Sequence, residues 1–266
     1  MDELLLTTGH WSSAMLLLGL STTRVAVAFL LLPLFTPEMV PALIRNAIFI
    51  SLALLSLAMQ PVVEVRDFQT IDWIRLYGKE AFIGGAIGLL FGSVLWAFEA
   101  AGQVIDMKTG ASMAQVVDPL SGHQTPLTGA FLSRLVGFVF MFSGGFLLLV
   151  GLLLKSYALW PVSQMLPALK PGGVTLFEGE FSRLMTLVML ISAPSLVVLY
   201  LIEVAFGLVN RFSPQLNVFA MSTSIKILAA NALLMLTLGS FIQLVIDDIQ
   251  ARPEVVLRTL KVLIGG

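Results

Sequence analysis

Six long apolar runs separated by short polar connections set the pattern of this chain, at about 14–35, 46–63, 81–105, 127–154, 184–209 and 218–246. Each reaches roughly the 17–25 residues that a helix needs to cross a bilayer. The runs are continuous and rich in Leu, Ala, Met and Gly, without alternation of apolar and polar positions, so they predict helices and not a barrel. The expected fold is all-α: integral membrane helical hairpins with about six long apolar helices, in a single membrane domain over 1–266. Gly144-Gly145 and Pro194 interrupt the fourth and fifth runs. As one straight helix the fourth run would measure about 42 Å. A hydrocarbon core is about 30 Å thick, so a tilt, a break or a protruding end is expected there.

After Pro253 the periodicity changes. Glu254, Arg258 and Lys261 share one helical face and Val256, Leu260 and Leu263 another. The tail 247–266 is therefore read either as a short amphipathic helix for the membrane surface or a partner, or as a simple terminal cap. At the other end Asp2 and Glu3 stand where a signal peptide carries positive charge, so the first run is expected to be a retained helix.

Composition sharpens the membrane reading. The chain is 58% hydrophobic and 12% charged over 266 residues, whereas soluble chains are about 25% charged. Too little polar surface is present to cover so apolar a globule in water. The net charge of −1 offers no basic stripe for nucleic acid, and without cysteine there is no disulfide or thiolate chemistry. With six crossings, nine basic residues share the side of the termini (Arg66, Arg75, Lys79, Lys155, Lys170, Arg183, Arg252, Arg258, Lys261) against three opposite (Arg45, Lys108, Arg211). Both termini are then expected in the cytoplasm. Trp73, Tyr77, Tyr157 and Trp160 lie beside run ends, as interfacial aromatics do.

Three features stand out against this background. Arg24, Glu99, Arg134, Glu203 and Lys226 lie within apolar runs. Such charges pair between helices, snorkel near a run end, or face a partner or a wet path. Three cations against two anions leave at least one without an internal partner, and Lys226 and Glu203 are expected to serve assembly. Gly84, Gly88 and Gly92 recur every four residues and predict a face for close helix packing, with Ser133 and Gly137 a weaker copy. The segment 106–126 is rich in Gly, Ser and Thr, and Pro119 and Pro126 oppose helix continuation. By composition it reads as an outer connection or as a re-entrant loop lining a cavity.

Catalytic groups are sparse. His10 and His123 lie far apart with no ligand cluster, Ser121 and His123 lack a third member, and Asp106 and Asp118 form no convincing carboxylate pair. No phosphate-binding glycine motif occurs. No catalytic, cofactor-binding or metal residues are predicted.

Two stretches carry a resemblance. In AGQVIDMKTGASMAQVVDP (101–119), Gly102, Gly110, Ser112, Ala114, Asp118 and Pro119 match; in FGLVNRFSPQLNVFAMSTSIK (206–226), Gly207, Leu208, Asn210, Arg211, Pro214, Gln215, Asn217, Val218, Phe219 and Lys226 match. The pattern resembles the FliR/SctT family of the type III secretion export apparatus. Flagellar members have Gly-Phe-Pro just before the final lysine, where this chain has Ser222, Thr223 and Ser224. Asp106 and Lys108 also depart from the flagellar pattern, so the chain is more similar to the injectisome branch. The resemblance implies a pore-forming and gating subunit, not an enzyme, in the bacterial inner membrane with a cytoplasmic C-terminus. Its implied partners are the two other small export-gate membrane proteins, the larger switch protein of the apparatus, unfolded protein substrates and lipid, with no cofactor. It also implies that 106–126 is a plug inside the pore, with Asp106, Met107, Lys108, Gly110, Met113, Asp118, Pro119, His123 and Pro126 as gating residues. Asn210, Arg211, Pro214, Gln215 and Lys226 are then expected to position a helix junction or contact other subunits. In that family partners can lift the helical hairpins out of the bilayer plane, which bears on the six-crossing topology. The alternative, a stand-alone secondary transporter or ion channel, would call for repeats between the two halves, and none is evident.

Overall fold

The computed structural model describes residues 2–35, 40–59, 70–110, 127–162, 164, 173–212 and 218–264. They form seven helices: α1 (Asp2–Leu30), α2 (Ala42–Met59), α3 (Thr70–Thr109), α4 (Leu127–Phe142), α5 (Gly145–Leu159), α6 (Gly173–Phe212) and α7 (Val218–Ile264). Three of them, α3, α6 and α7, are each long and apolar enough to cross a membrane, and α4 with α5 makes a fourth if counted as one broken span. Met15–Leu30 and Ala42–Ala58 are shorter apolar helices.

Glycine conformation and lipid-like surroundings account for where these helices stop and where they do not. The fourth apolar run is two helices because Gly144 adopts a left-handed conformation, φ 83° and ψ 9°. Hydrogen bonds Ser143 N→Val139 O (2.8 Å) and Leu148 N→Gly144 O (3.0 Å) close the ladders on either side. Gly110, at φ 79°, ends α3 in the same way. The helix therefore runs through Asp106, Met107 and Lys108, which the sequence reading assigned to a loop. Nothing in that stretch breaks a helix before Gly110. Pro194 and Pro253, by contrast, lie inside α6 and α7. Each removes one backbone donor; at Pro194, within an apolar run, the flanking amides have no better partner than the helix itself. The expected separate tail is thus the last stretch of α7, with Val256 and Leu260 buried and Glu254, Arg258 and Lys261 exposed.

The chain divides into two compact units, 1–92 with 144–177 and 251–266, and 93–143 with 178–250. In the first, Phe29 centres an aromatic cluster. Its ring lies 4.9 Å from Phe35, 5.6 Å from Phe49 and 5.9 Å from Phe146. There α1 and α3 approach to backbone contact. A methyl group on Gly84 would fall against the Arg24 carbonyl, and one on Gly88 would lie 2.6 Å from the Ala28 carbonyl. Gly92 is buried as well. In the second unit Gly102 and Gly129 bring α3 and α4 equally close, and a Cβ on Gly102 would stand 2.5 Å from the Gly129 Cα. Phe98 meets Phe241 edge to face at 5.6 Å, and Ile105, Leu199 and Ala230 pack together.

Because the atom met at Gly88 is backbone and unable to swing away, Gly88→Ala is expected to lower stability in detergent by about 1–3 kcal/mol. Gly85→Ala, whose added carbon would lie 3.9 Å from the Val27 side chain, is expected to be close to neutral. Thermal melts of the two purified variants test the pair; equal melting temperatures would count against backbone contact.

Candidate functional site

The strongest polar construction in the first unit is built around Arg24 of α1, whose side chain is wholly buried. Its guanidinium grips Glu80 of α3 with two parallel bonds, Nε to Oε2 at 2.6 Å and Nη2 to Oε1 at 3.0 Å. The remaining donors reach Ser156 Oγ (3.0 Å) and the Trp160 carbonyl (2.9 Å). The Tyr157 ring lies 4.0 Å beneath it, and the Tyr157 hydroxyl donates to the Ser21 carbonyl. Lys79, also fully buried, stands 2.8 Å from Glu80 Oε1. Its ammonium donates to the carbonyls of Pro161, Val162 and Gln164, each at 2.9 Å. The logic is local: the chain leaving α5 carries carbonyls with no helical donor, and two cations supply them. A planar guanidinium suits the carboxylate fork, while a compact ammonium suits three converging carbonyls.

This cluster corrects the sequence reading at several points. Lys79 was expected in a cytoplasmic connection, but it is buried within α3. Tyr157 and Trp160, read as interfacial aromatics, are also buried. Glu80 was missed because it falls one residue before an apolar run. The adjacent opposite charges Lys79-Glu80 at that boundary were the available signal.

Among the described residues of the second unit, several polar groups join one helix to another. Asp106, buried near the end of α3, accepts from the backbone amides of Thr128 (2.8 Å) and Gly129 (3.1 Å). It thereby caps the N-terminus of α4 from a distance of 22 residues in sequence, where a carboxylate also complements the helix dipole. Beside it an apolar groove of about 530 Å³ is lined by Leu127, Phe131, Ile227 and Leu234 among others. In a second group, Lys108 lies 3.4 Å from Glu203 and 4.1 Å over the Tyr200 ring, and Lys226 approaches the same carboxylate at 3.8 Å. Third, Arg183 of α6 bonds Glu180 (2.8 Å), Ser93 Oγ (3.2 Å) and Asp248 of α7. Ser93 in turn donates to Glu180 at 2.7 Å. Last, Glu99 accepts from Gln103 (3.4 Å) and Ser133 (3.3 Å).

The expected gating residues are thus divided. Asp106 and Lys108 are helical and engaged as above, Met107 is exposed, and Gly110 terminates α3. Met113, Asp118, Pro119, His123 and Pro126 lie outside the described residues. Of the junction residues, Asn210 and Arg211 are exposed at the end of α6, Lys226 faces Glu203, and Pro214 and Gln215 lie outside the described residues. The five charges noted in the apolar runs do not pair among themselves, apart from Lys226 with Glu203. Among the described residues no group of three or more His, Asp or Glu is placed to hold a metal ion.

Long apolar helices that bury their charges in hydrogen-bonded networks, while exposing large aliphatic and aromatic side chains, define a multi-pass helical membrane protein. Residues 15–251 match the family described as bacterial export proteins, family 1, and the chain belongs to it. It is 35% identical over 217 residues to the Yop proteins translocation protein T of Yersinia pestis, covering 80% of this chain and 82% of that one. With the surface presentation of antigens protein SpaR of Salmonella typhimurium it shares 32% identity over 209 residues, 78% and 77% of the two chains. With the flagellar biosynthetic protein FliR of Bacillus subtilis it shares 28% over 246 residues, 91% and 93% of the two.

Glu80→Gln leaves two buried cations without their anion and is expected to cost about 3–5 kcal/mol. Arg75→Ala, which breaks an exposed 3.9 Å contact with Asp72, is expected to cost below about 1 kcal/mol. Detergent melting and the steady-state amount of membrane-inserted chain read both; indistinguishable variants would show that the buried cluster is not what holds the first unit together.

Proposed function

We propose that this chain is a structural subunit of a type III secretion export apparatus in the bacterial inner membrane, where it helps unfolded substrates cross. The single observation that carries the reading is the family match over 15–251, supported by relatives named for protein translocation and for flagellar biosynthesis. Its chemistry agrees: the polar groups described above cap helices, bridge them and satisfy one another. The higher identity to the Yersinia and Salmonella proteins than to the flagellar one favours the injectisome branch. α6 and α7 expose Met189, Leu201, Val204, Leu228, Met235 and Leu236, a surface suited to lipid and to other membrane subunits. Its partners in this reading are the two other small export-gate proteins and the larger switch protein, and its C-terminus is cytoplasmic.

Gating falls to the segment between Gly110 and Leu127. Asp106 ties the two ends of that segment together by holding the first amides of α4 against the last turns of α3. Such a clasp gives a closing element fixed ends.

Purification of the tagged full chain from its host's membranes in mild detergent is expected to recover the two other small export-gate proteins in one large complex; a lone monomer or homodimer from a secreting host would overturn the assignment. Deleting 113–124 in the assembled complex is expected to raise ion leakage across the membrane, and an unchanged leak would remove the gating role.

A further inference from the structure

Arg134, within the apolar helix α4, has no counter-ion among the described residues. It is exposed on α4, and none of the ion pairs among the described residues includes it. The carboxylate of Glu99, which α3 brings to the adjacent Ser133, is held by Ser133 and Gln103.

The rest of the face around Arg134 is apolar. Leu127, Phe131, Phe138 and Met141 are 61%, 48%, 59% and 43% exposed. With Arg134 they follow one another at intervals of four, three, four and three residues, the spacing of a stripe that meets another helix. The opposite face, Gly129, Leu132, Val136 and Phe140, is buried within the second unit. Lipid tails would accept the apolar members but offer nothing to a guanidinium. The arginine stands about 10 Å along the helix axis from Leu127 and about 12 Å from Phe142. Its side chain leans toward Phe131, and Leu127 prolongs the apolar stripe beyond it.

From this complementarity we propose that the outward face of α4 receives an apolar helix of another membrane subunit bearing one Asp or Glu level with Arg134. The inference rests on the reading of the chain as a subunit of a membrane assembly. The apolar side chains seat the partner helix, and the arginine–carboxylate pair fixes its register, since a bidentate pair is satisfied at only one height and one rotation. An unpaired charge on either helix would oppose separate insertion, so the pair also favours assembly over the free subunits.

The test uses the full chain in its host's membranes, with a photo-crosslinking residue at Phe138 and the variants R134E, R134Q and R134K. R134E and R134Q are expected to lower recovery of the partner subunits by about tenfold or more, with R134K in between because an ammonium keeps the charge but not the bidentate fork. Suppressors of R134E are expected to convert an Asp or Glu in an apolar helix of one partner to Lys or Arg, and the crosslink at Phe138 should fall in that same helix. R134E assembling as the parent does would overturn the proposal. So would crosslinks to lipid alone, or loss of bound anionic lipid with partner recovery unchanged, because Arg134 would then hold a headgroup. If R134E fails to insert, the crosslink in the Arg134 chain and the R134Q recovery decide by the same criteria. A parent chain that recovers no membrane subunit would instead sink the assembly reading itself.

Discussion

A buried ion in a lipid-facing protein has no water to fall back on, and the first unit is arranged around that constraint. Arg24, Lys79 and Glu80 are all fully buried, and each is tolerable only because the others and a set of carbonyls are in place. Their geometry orders much else. The guanidinium holds α1 to α3 through Glu80 and to α5 through Ser156, and the ammonium gathers the turn after α5. Close approach of α1 and α3 at Gly84 and Gly88 brings Arg24 and Glu80 within bonding distance. Small residues and buried charge are therefore two halves of one device: without the glycines the helices stand too far apart, and without the ion pair close approach would bury unsatisfied charge.

The second unit applies the same rule to helix ends. Asp106 supplies the acceptor that the first amides of α4 lack, and Gly102 and Gly129 let the two helices meet there. Arg183 joins α6 to α7 through Asp248 and reaches α3 through Ser93. Polar side chains at membrane depth are in this way mostly spent on backbone ends and neighbouring helices. Arg134 on α4 takes part in none of the ion pairs among the described residues.

Much of the fold was legible in the chain. Continuous apolar runs specify helices in lipid because every backbone group must bond within its own segment. The glycine period at 84, 88 and 92 was readable for the same reason that it works, since residues four apart share a face. Less legible were the helix limits. Polar residues at 106–109 looked like loop, yet a long-range cap and a lysine in the last turn favour helix up to Gly110. Pro253 looked like a boundary, yet α7 continues through it to Ile264. Lys79, Tyr157 and Trp160 were misplaced because residue type and proximity to a run end do not distinguish an interfacial group from one folded inward.

The sequence by itself determined the class of the protein, its helical backbone and its family, since all three follow from hydropathy, local period and polar motifs within a segment. Only the tertiary structure decided which charges meet. Arg24 lies 56 positions from Glu80 and 132 from Ser156, and no local pattern encodes such a pairing. It arises when helices pack closely enough in an apolar medium that a charge left alone would cost more than the packing gains.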